Sequence, residues 1–264
     1  MQNSSSHKIS IFKSIVLFFI VYLQLFVGSF AFAKEKHVKS NQKFPKISFA
    51  YGKCYLQPKE VLSGKTLELS SGVKITQPLP YALVARENSY LELLDFPQPN
   101  NVTRIGQSTA IEIRDRFHLY FFQGSSLISQ RENTKWTLET NSTLINTFGY
   151  GTWMVETTDQ MGFKIVLLEG KLAVFQDNMT VFLNSGDLLL ISEIKGQISQ
   201  KIKIDLPLLL QTCRLLNNFK SELTSNSRII SAARVQAMRL KKRFEAVVGG
   251  VKNNKLQIWA IKKN

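Results

Sequence analysis

The stretch Leu144–Phe175, LINTFGYGTWMVETTDQMGFKIVLLEGKLAVF, constrains the fold of this chain more than any other. It holds three or four short runs of strand character, separated by Gly149, Gly151, Gly162 and Gly170. Glycine at such joints allows a positive φ or a close strand approach that a side chain would block. On either side, Ile111–Arg114 and Lys135–Glu139 alternate apolar and polar residues, with Trp136 and Leu138 on one face. Leu119–Phe122, Ile165–Leu168 and Leu188–Ile191 are continuous apolar runs, suited to strands buried on both faces. Turn signals at Ser71-Gly72, Pro97–Asn101, Gly106, Gln123-Gly124 and Ser185-Gly186 punctuate these runs. No helical period of useful length appears between residues 60 and 200. The pattern predicts a mainly β body over residues 50–200, with glycine-punctuated short strands in a sandwich- or solenoid-like stack.

The pattern changes after residue 204. Leu209, Cys213, Leu216 and Phe219 recur at helical spacing within Leu206–Leu223, and Pro207 suits a first helical turn. Ser225 or Ser227 is placed to cap a second helix, along which Ile230, Ala233, Ala237, Leu240, Phe244 and Val247 form one apolar stripe. Gly249-Gly250 is read as the end of that helix, and Leu256–Ile261 as a final strand. Residues 201–264 therefore predict a basic C-terminal extension with two helices and a strand.

The formal net charge of +15 is unevenly placed. Residues 50–200 carry 13 basic and 15 acidic residues, whereas residues 201–264 carry 14 basic and three acidic ones. A nucleic-acid reader with its binding face on the folded body would carry the charge there; no nucleic-acid partner is expected. Residues 1–33 read as a secretory signal peptide: Lys8 and Lys13, then the mostly apolar Ser14–Ala33, closing with Ala31-Phe32-Ala33. An uncleaved N-terminal anchor is the alternative, since about 20 apolar residues span a bilayer. Both place the body outside the cytoplasm, in the periplasm or cell envelope. The Lys-rich residues 34–49 read as a leader or linker.

Several segments in order resemble the FecR domain family of bacterial extracytoplasmic domains, over roughly residues 60–192. Val61-Leu62-Ser63-Gly64 and Leu69–Thr76 resemble its opening turn and strand; Tyr90–Leu94 with Thr103–Ser108 resembles its paired strands. Gly151-Thr152-Trp153-Met154-Val155 is similar to its Gly-Thr-aromatic signature, and Val166–Val174, containing Glu169-Gly170, to its later strand turn. Asn184–Asp187 resembles its closing turn. The chain departs from the pattern at Gly72-Val73 and in the insert Asp95–Asn101. The resemblance implies an exported FecR-like domain without the cytoplasmic segment that holds a sigma factor. Its implied role is non-catalytic: envelope recognition, signalling or scaffolding, with an envelope protein as partner.

Catalytic chemistry is sparsely represented. Gly149-Tyr150-Gly151-Thr152 lacks the lysine and following helix of a phosphate-binding loop. His118 has no partner in sequence, and neither a zinc nor any cofactor site is suggested. Glu112/Asp115 and Glu156/Asp159 read as solvated ion pairs, given Arg114 and Arg116 nearby. Cys54 and Cys213 are the only cysteines, and a disulfide between them or two buried thiols both remain open. Arg239, Lys241, Lys242 and Arg243 form a basic cluster on the second helix. That face is either solvated, or in contact with an anionic envelope surface or polymer, or bound to a partner. Action through this cluster is the alternative function.

Overall fold

The computed structural model describes residues 44–59, 66–192, 198–199, 201–240, 246–250 and 256–260. The apolar N-terminal segment, the residues of the leader before Phe44, and the Val61–Gly64 turn lie outside the described residues. A mainly β architecture with a short C-terminal helical part is observed.

The strands, in chain order, are β1 (Lys46–Tyr51), β2 (Cys54–Pro58), β3 (Leu67–Glu68), β4 (Tyr81–Ala85), β5 (Tyr90–Leu94), β6 (Val102–Ile105), β7 (Thr109–Asp115) and β8 (His118–Gln123). They continue with β9 (Ser125–Glu139), β10 (Leu144–Thr157), β11 (Phe163–Gln176), β12 (Met179–Asn184), β13 (Asp187–Ile191) and β14 (Ile202–Lys203). All belong to one 14-stranded sheet, whose main path runs β14-β13-β11-β10-β9-β8-β7-β4-β2-β3. β5 and β6 branch from β9, β1 adds to β5, and β12 lies beside β11. Pairing is antiparallel except between β8 and β9. β1 starts at Lys46, within the stretch read as linker, because Lys46–Tyr51 pairs along β5.

The two apolar patterns of the sequence have separate physical outcomes. One core, enclosed by the sheet, contains Trp136, Leu138, Phe121, Trp153, Val155, Ile165, Leu167 and Leu189. Trp136 and Trp153 meet edge to face with centroids 6.4 Å apart. The second core lies on the reverse face and contains Leu127, Met154, Val166, Leu168 and Leu188, packed with helical residues such as Leu206, Leu209, Ile229 and Ala233. Ile165–Leu168 and Leu188–Ile191 are continuous apolar runs because both faces are covered there. The first half of β10 keeps its alternation: Ile145 and Thr147 are buried, while Leu144, Phe148 and Tyr150 are exposed.

The helical layer consists of α1 (Leu206–Thr212), α2 (Arg214–Asn217) and α3 (Asn226–Leu240). Asp205 caps α1 by accepting a hydrogen bond from Leu208 N at 3.1 Å, and Pro207 sits in its first turn. Cys213 is extended at φ −77°, ψ 117° and breaks the single helix expected over Leu206–Leu223 into two. The second helix ends at Leu240, short of Val247, which instead pairs with Trp259 in a hairpin of β15 (Ala246–Gly250) and β16 (Leu256–Ala260). Gly249-Gly250 closes a strand, not a helix. The buried face of α3 runs Ile229–Ala233–Gln236, so Ile230, assigned to the stripe from sequence, is exposed.

Candidate functional site

Four of the residues that carry the family resemblance, Gly151, Thr152, Glu169 and Gly170, meet where β10, β11 and α3 come together. Gly151 faces Gly170 across the ladder, at φ +117° and +104°. A Cβ on Gly151 would sit 2.0 Å from the Glu169 carbonyl oxygen, and one on Gly170 2.2 Å from that of Tyr150. Only glycine fits at either position. Strand alternation turns Trp153 into the enclosed core and Thr152 toward the helical layer, and the register shift between them leaves Leu168 of β11 as the extra residue.

Thr152 Oγ1 donates to Glu169 Oε1 at 2.9 Å and lies 2.7 Å from Ser225 Oγ and 3.0 Å from Ser129 Oγ. All four side chains are buried. Ser225 stands just before α3, and one turn later Arg228 reaches Glu169 at 3.1 and 3.3 Å. The signature Thr and Glu thus form one end of a polar seam that seats α3.

A second seam holds α2 and the segment that follows it. Arg104 Nε donates to Glu92 Oε2 at 2.7 Å, with side-chain exposures of 1% and 2%. Its Nη1 donates to the Leu215 and Leu216 carbonyls at 3.0 and 3.2 Å, and its Nη2 to that of Ser221 at 2.5 Å. The guanidinium lies 4.3 Å from the centre of the Phe219 ring. Burial lowers the Arg104 pKa, and the Glu92 carboxylate opposes that shift.

Between α3 and the turn after β12 opens a cleft of about 710 Å³, lined by Glu169, Asn184, Lys203, Arg228, Ser231 and Gln236 among others. Its charges are already engaged: Arg228 with Glu169, and Lys203 with the buried Asp187. Gln236 bridges Ile204 O and Leu206 N at 2.7 and 3.0 Å. The charges of the cleft are therefore compensated within the fold, and Ala232 and Val235 of α3 add apolar lining.

On the outward face, His118 Nε2 lies 2.7 Å from Glu139 Oε2, which also accepts from Arg114 Nη1 at 2.5 Å. No residue close to His118 in sequence offers it a partner. Parallel pairing of β8 with β9 brings Glu139 alongside it, a relation that no local spacing encodes. Arg114 covers the Tyr120 ring at 4.1 Å, and Glu112 is met by Lys59 at 3.0 Å. Glu112 is ion-paired, as expected, but its side chain is only 12% exposed; Asp115 is exposed and accepts from Phe117 N in a turn. Glu156 departs from that reading: it is buried, 3% exposed, with Lys164 at 3.3 Å.

Cys54 and Cys213 are both free, buried thiols. They belong to different cores; Cys54 Sγ contacts the Tyr90 carbonyl at 3.4 Å and Cys213 Sγ contacts Met154 Sδ at 3.4 Å. Arg239 lies on α3, but its side chain and all of Lys241, Lys242 and Arg243 lie outside the described residues. Among the described residues, no group of three or more His, Cys, Asp or Glu is arranged to hold a metal ion, and no helix is long and apolar enough to cross a membrane.

No protein-family profile matches the chain, and no curated protein sequence does. Two solved structures from Parabacteroides distasonis, each described as a "putative anti-sigma factor", are similar to it. One has 10% identity and a TM-score of 0.40, covering 70% of this chain and 100% of its own. The other has 11% identity and a TM-score of 0.38, covering 69% and 99%.

Proposed function

We propose that this protein is a non-catalytic, FecR-like recognition module displayed in the periplasm or cell envelope, acting in signalling or scaffolding. One observation carries the reading. The residues of the resemblance, Gly151, Thr152, Glu169 and Gly170, are engaged in strand crossing and in seating α3. In this reading the chemistry of these residues is architectural, and recognition falls to the exposed face of the sheet. The chain's apolar Ser14–Ala33 segment supports export.

The test is in two parts. Fractionation of the producing cell, with mass measurement of the mature N-terminus, checks export; a body found in the cytoplasm overturns it. Cross-linking in intact cells followed by capture checks recognition. One specific envelope partner is expected, and recovery of the chain alone contradicts the module reading.

A further inference from the structure

The outward half of β10 and its neighbours carries a group of exposed apolar side chains. Phe148, Ala173 and Phe182 stand in one register row across β10, β11 and β12, and Lys135 of β9 extends it. Tyr150, Lys171 and Asn184 form the next row. Phe182 is 67% exposed, Leu144 52% and Phe148 48%. With strands about 4.8 Å apart, Phe148 and Phe182 lie about 10 Å from each other on the same face. Lys135 and Lys171 are exposed.

The chemistry of the patch selects its occupant. Three of its four exposed apolar side chains, Leu144, Phe148 and Phe182, have no hydrogen-bonding atom. Two neutral polar groups between them, Thr137 and Asn146, bond each other at 3.0 Å. A sugar polymer would find few such groups turned outward, chiefly Thr180 and Asn184 at the β12 edge. A second copy on this face would bring its lysines against these. A peptide strand added at the β12 edge would meet Lys201, whose ammonium donates to the Phe182 carbonyl at 3.0 Å.

We infer that this face docks on an anionic lipid surface. Phe148, Phe182 and Leu144 enter the headgroup boundary, and Lys135 and Lys171 lie over lipid phosphates with their stems along the apolar row. The inference goes beyond the recognition reading. It requires an anionic bilayer but no envelope protein, so each can fail without the other.

The test places a reporter on the face. The full chain carrying Phe182→Trp is mixed with vesicles of brominated phosphatidylglycerol and phosphatidylcholine, against the parent chain as background. Quenching of the added fluorescence is expected. The same reporter at Tyr51→Trp, exposed on β1, is expected to stay unquenched, which separates face docking from simple tethering by the N-terminal segment. Lys135→Gln and Lys171→Gln are each expected to weaken the effect about fivefold. Vesicles of phosphatidylcholine alone should leave it small. Equal quenching at both reporter sites, no quenching at all, or indifference to lipid charge would overturn the inference. So would the same spectral response to a soluble anionic polysaccharide, or a response to protein concentration without vesicles.

Discussion

Glu92 and Arg104 stand directly opposite each other across the β5–β6 ladder, and both are buried. The pair is a splint as much as a salt bridge, because Arg104 also holds three carbonyls between Leu215 and Ser221. Ser48 and Ser221 complete the Glu92 shell at 2.6 and 3.2 Å. Removing one partner strands a buried charge. Arg104→Met is expected to lower stability by about 3–5 kcal/mol in urea unfolding. The double variant Arg104→Met/Glu92→Leu should lose less than the sum of the two single changes, since no orphan carboxylate remains.

The glycine crossing gives a contrast within one residue type. Gly151→Ala and Gly170→Ala force a Cβ against backbone at positive φ and are expected to cost more than about 3 kcal/mol or to prevent folding. Gly72 also has positive φ, at +89°, yet nothing lies within 4 Å of its would-be Cβ. Gly72→Ala is expected to cost only about 1 kcal/mol, from backbone strain alone. Thermal unfolding of the three variants reads the difference.

Within the α3 seam, position predicts magnitude. Thr152→Val removes a hydroxyl that touches Ser129, Ser225 and Glu169, all buried, and should cost about 1–3 kcal/mol. Arg228 is 47% exposed, so Arg228→Gln is expected to cost about 1 kcal/mol or less. Chemical denaturation that ranks Arg228→Gln above Thr152→Val would contradict the seam as described.

The two thiols set an alkaline limit. Burial pushes both Cys54 and Cys213 up to about 11. Below about pH 8.5, where unfolded thiols hold their protons, they leave stability unchanged. Above it the unfolded chain ionises first, and stability falls until the folded thiols ionise near 11. The loss is about 3 kcal/mol for each thiol across that window. Tyr81, pushed upward by burial, acts in the same direction. Urea midpoints measured from pH 8 to pH 10.5 should decline less steeply in Cys213→Ala than in the parent chain.

Strand content was legible because it depends on local pattern. Trp136 and Leu138 alternate inward as their period demands, and the runs Ile165–Leu168 and Leu188–Ile191 are covered on both faces. The boundary at Cys213 was not legible. Its helical spacing continues through the break, and the partner of the carbonyls that follow it, Arg104, comes from a strand more than 100 residues away. The stripe on α3 failed by one position for a similar reason. Gln236, a polar residue, takes the buried place because it satisfies Ile204 O and Leu206 N from a distant segment. The His118–Glu139 pair and the Arg104 seam share this character: both are made by strand order, which single-sequence spacing does not contain.

The helical layer is fastened to the sheet as part of one cooperative body. Native-state hydrogen exchange tests this directly. In the parent chain, buried amides of Leu206–Asn217 and Asn226–Leu240 are expected to open with the same free energy as those of β9–β11. In Arg104→Met or Thr152→Val they should open locally while β9–β11 remain protected. Helical amides that already exchange freely in the parent chain, with the sheet intact, would contradict the account.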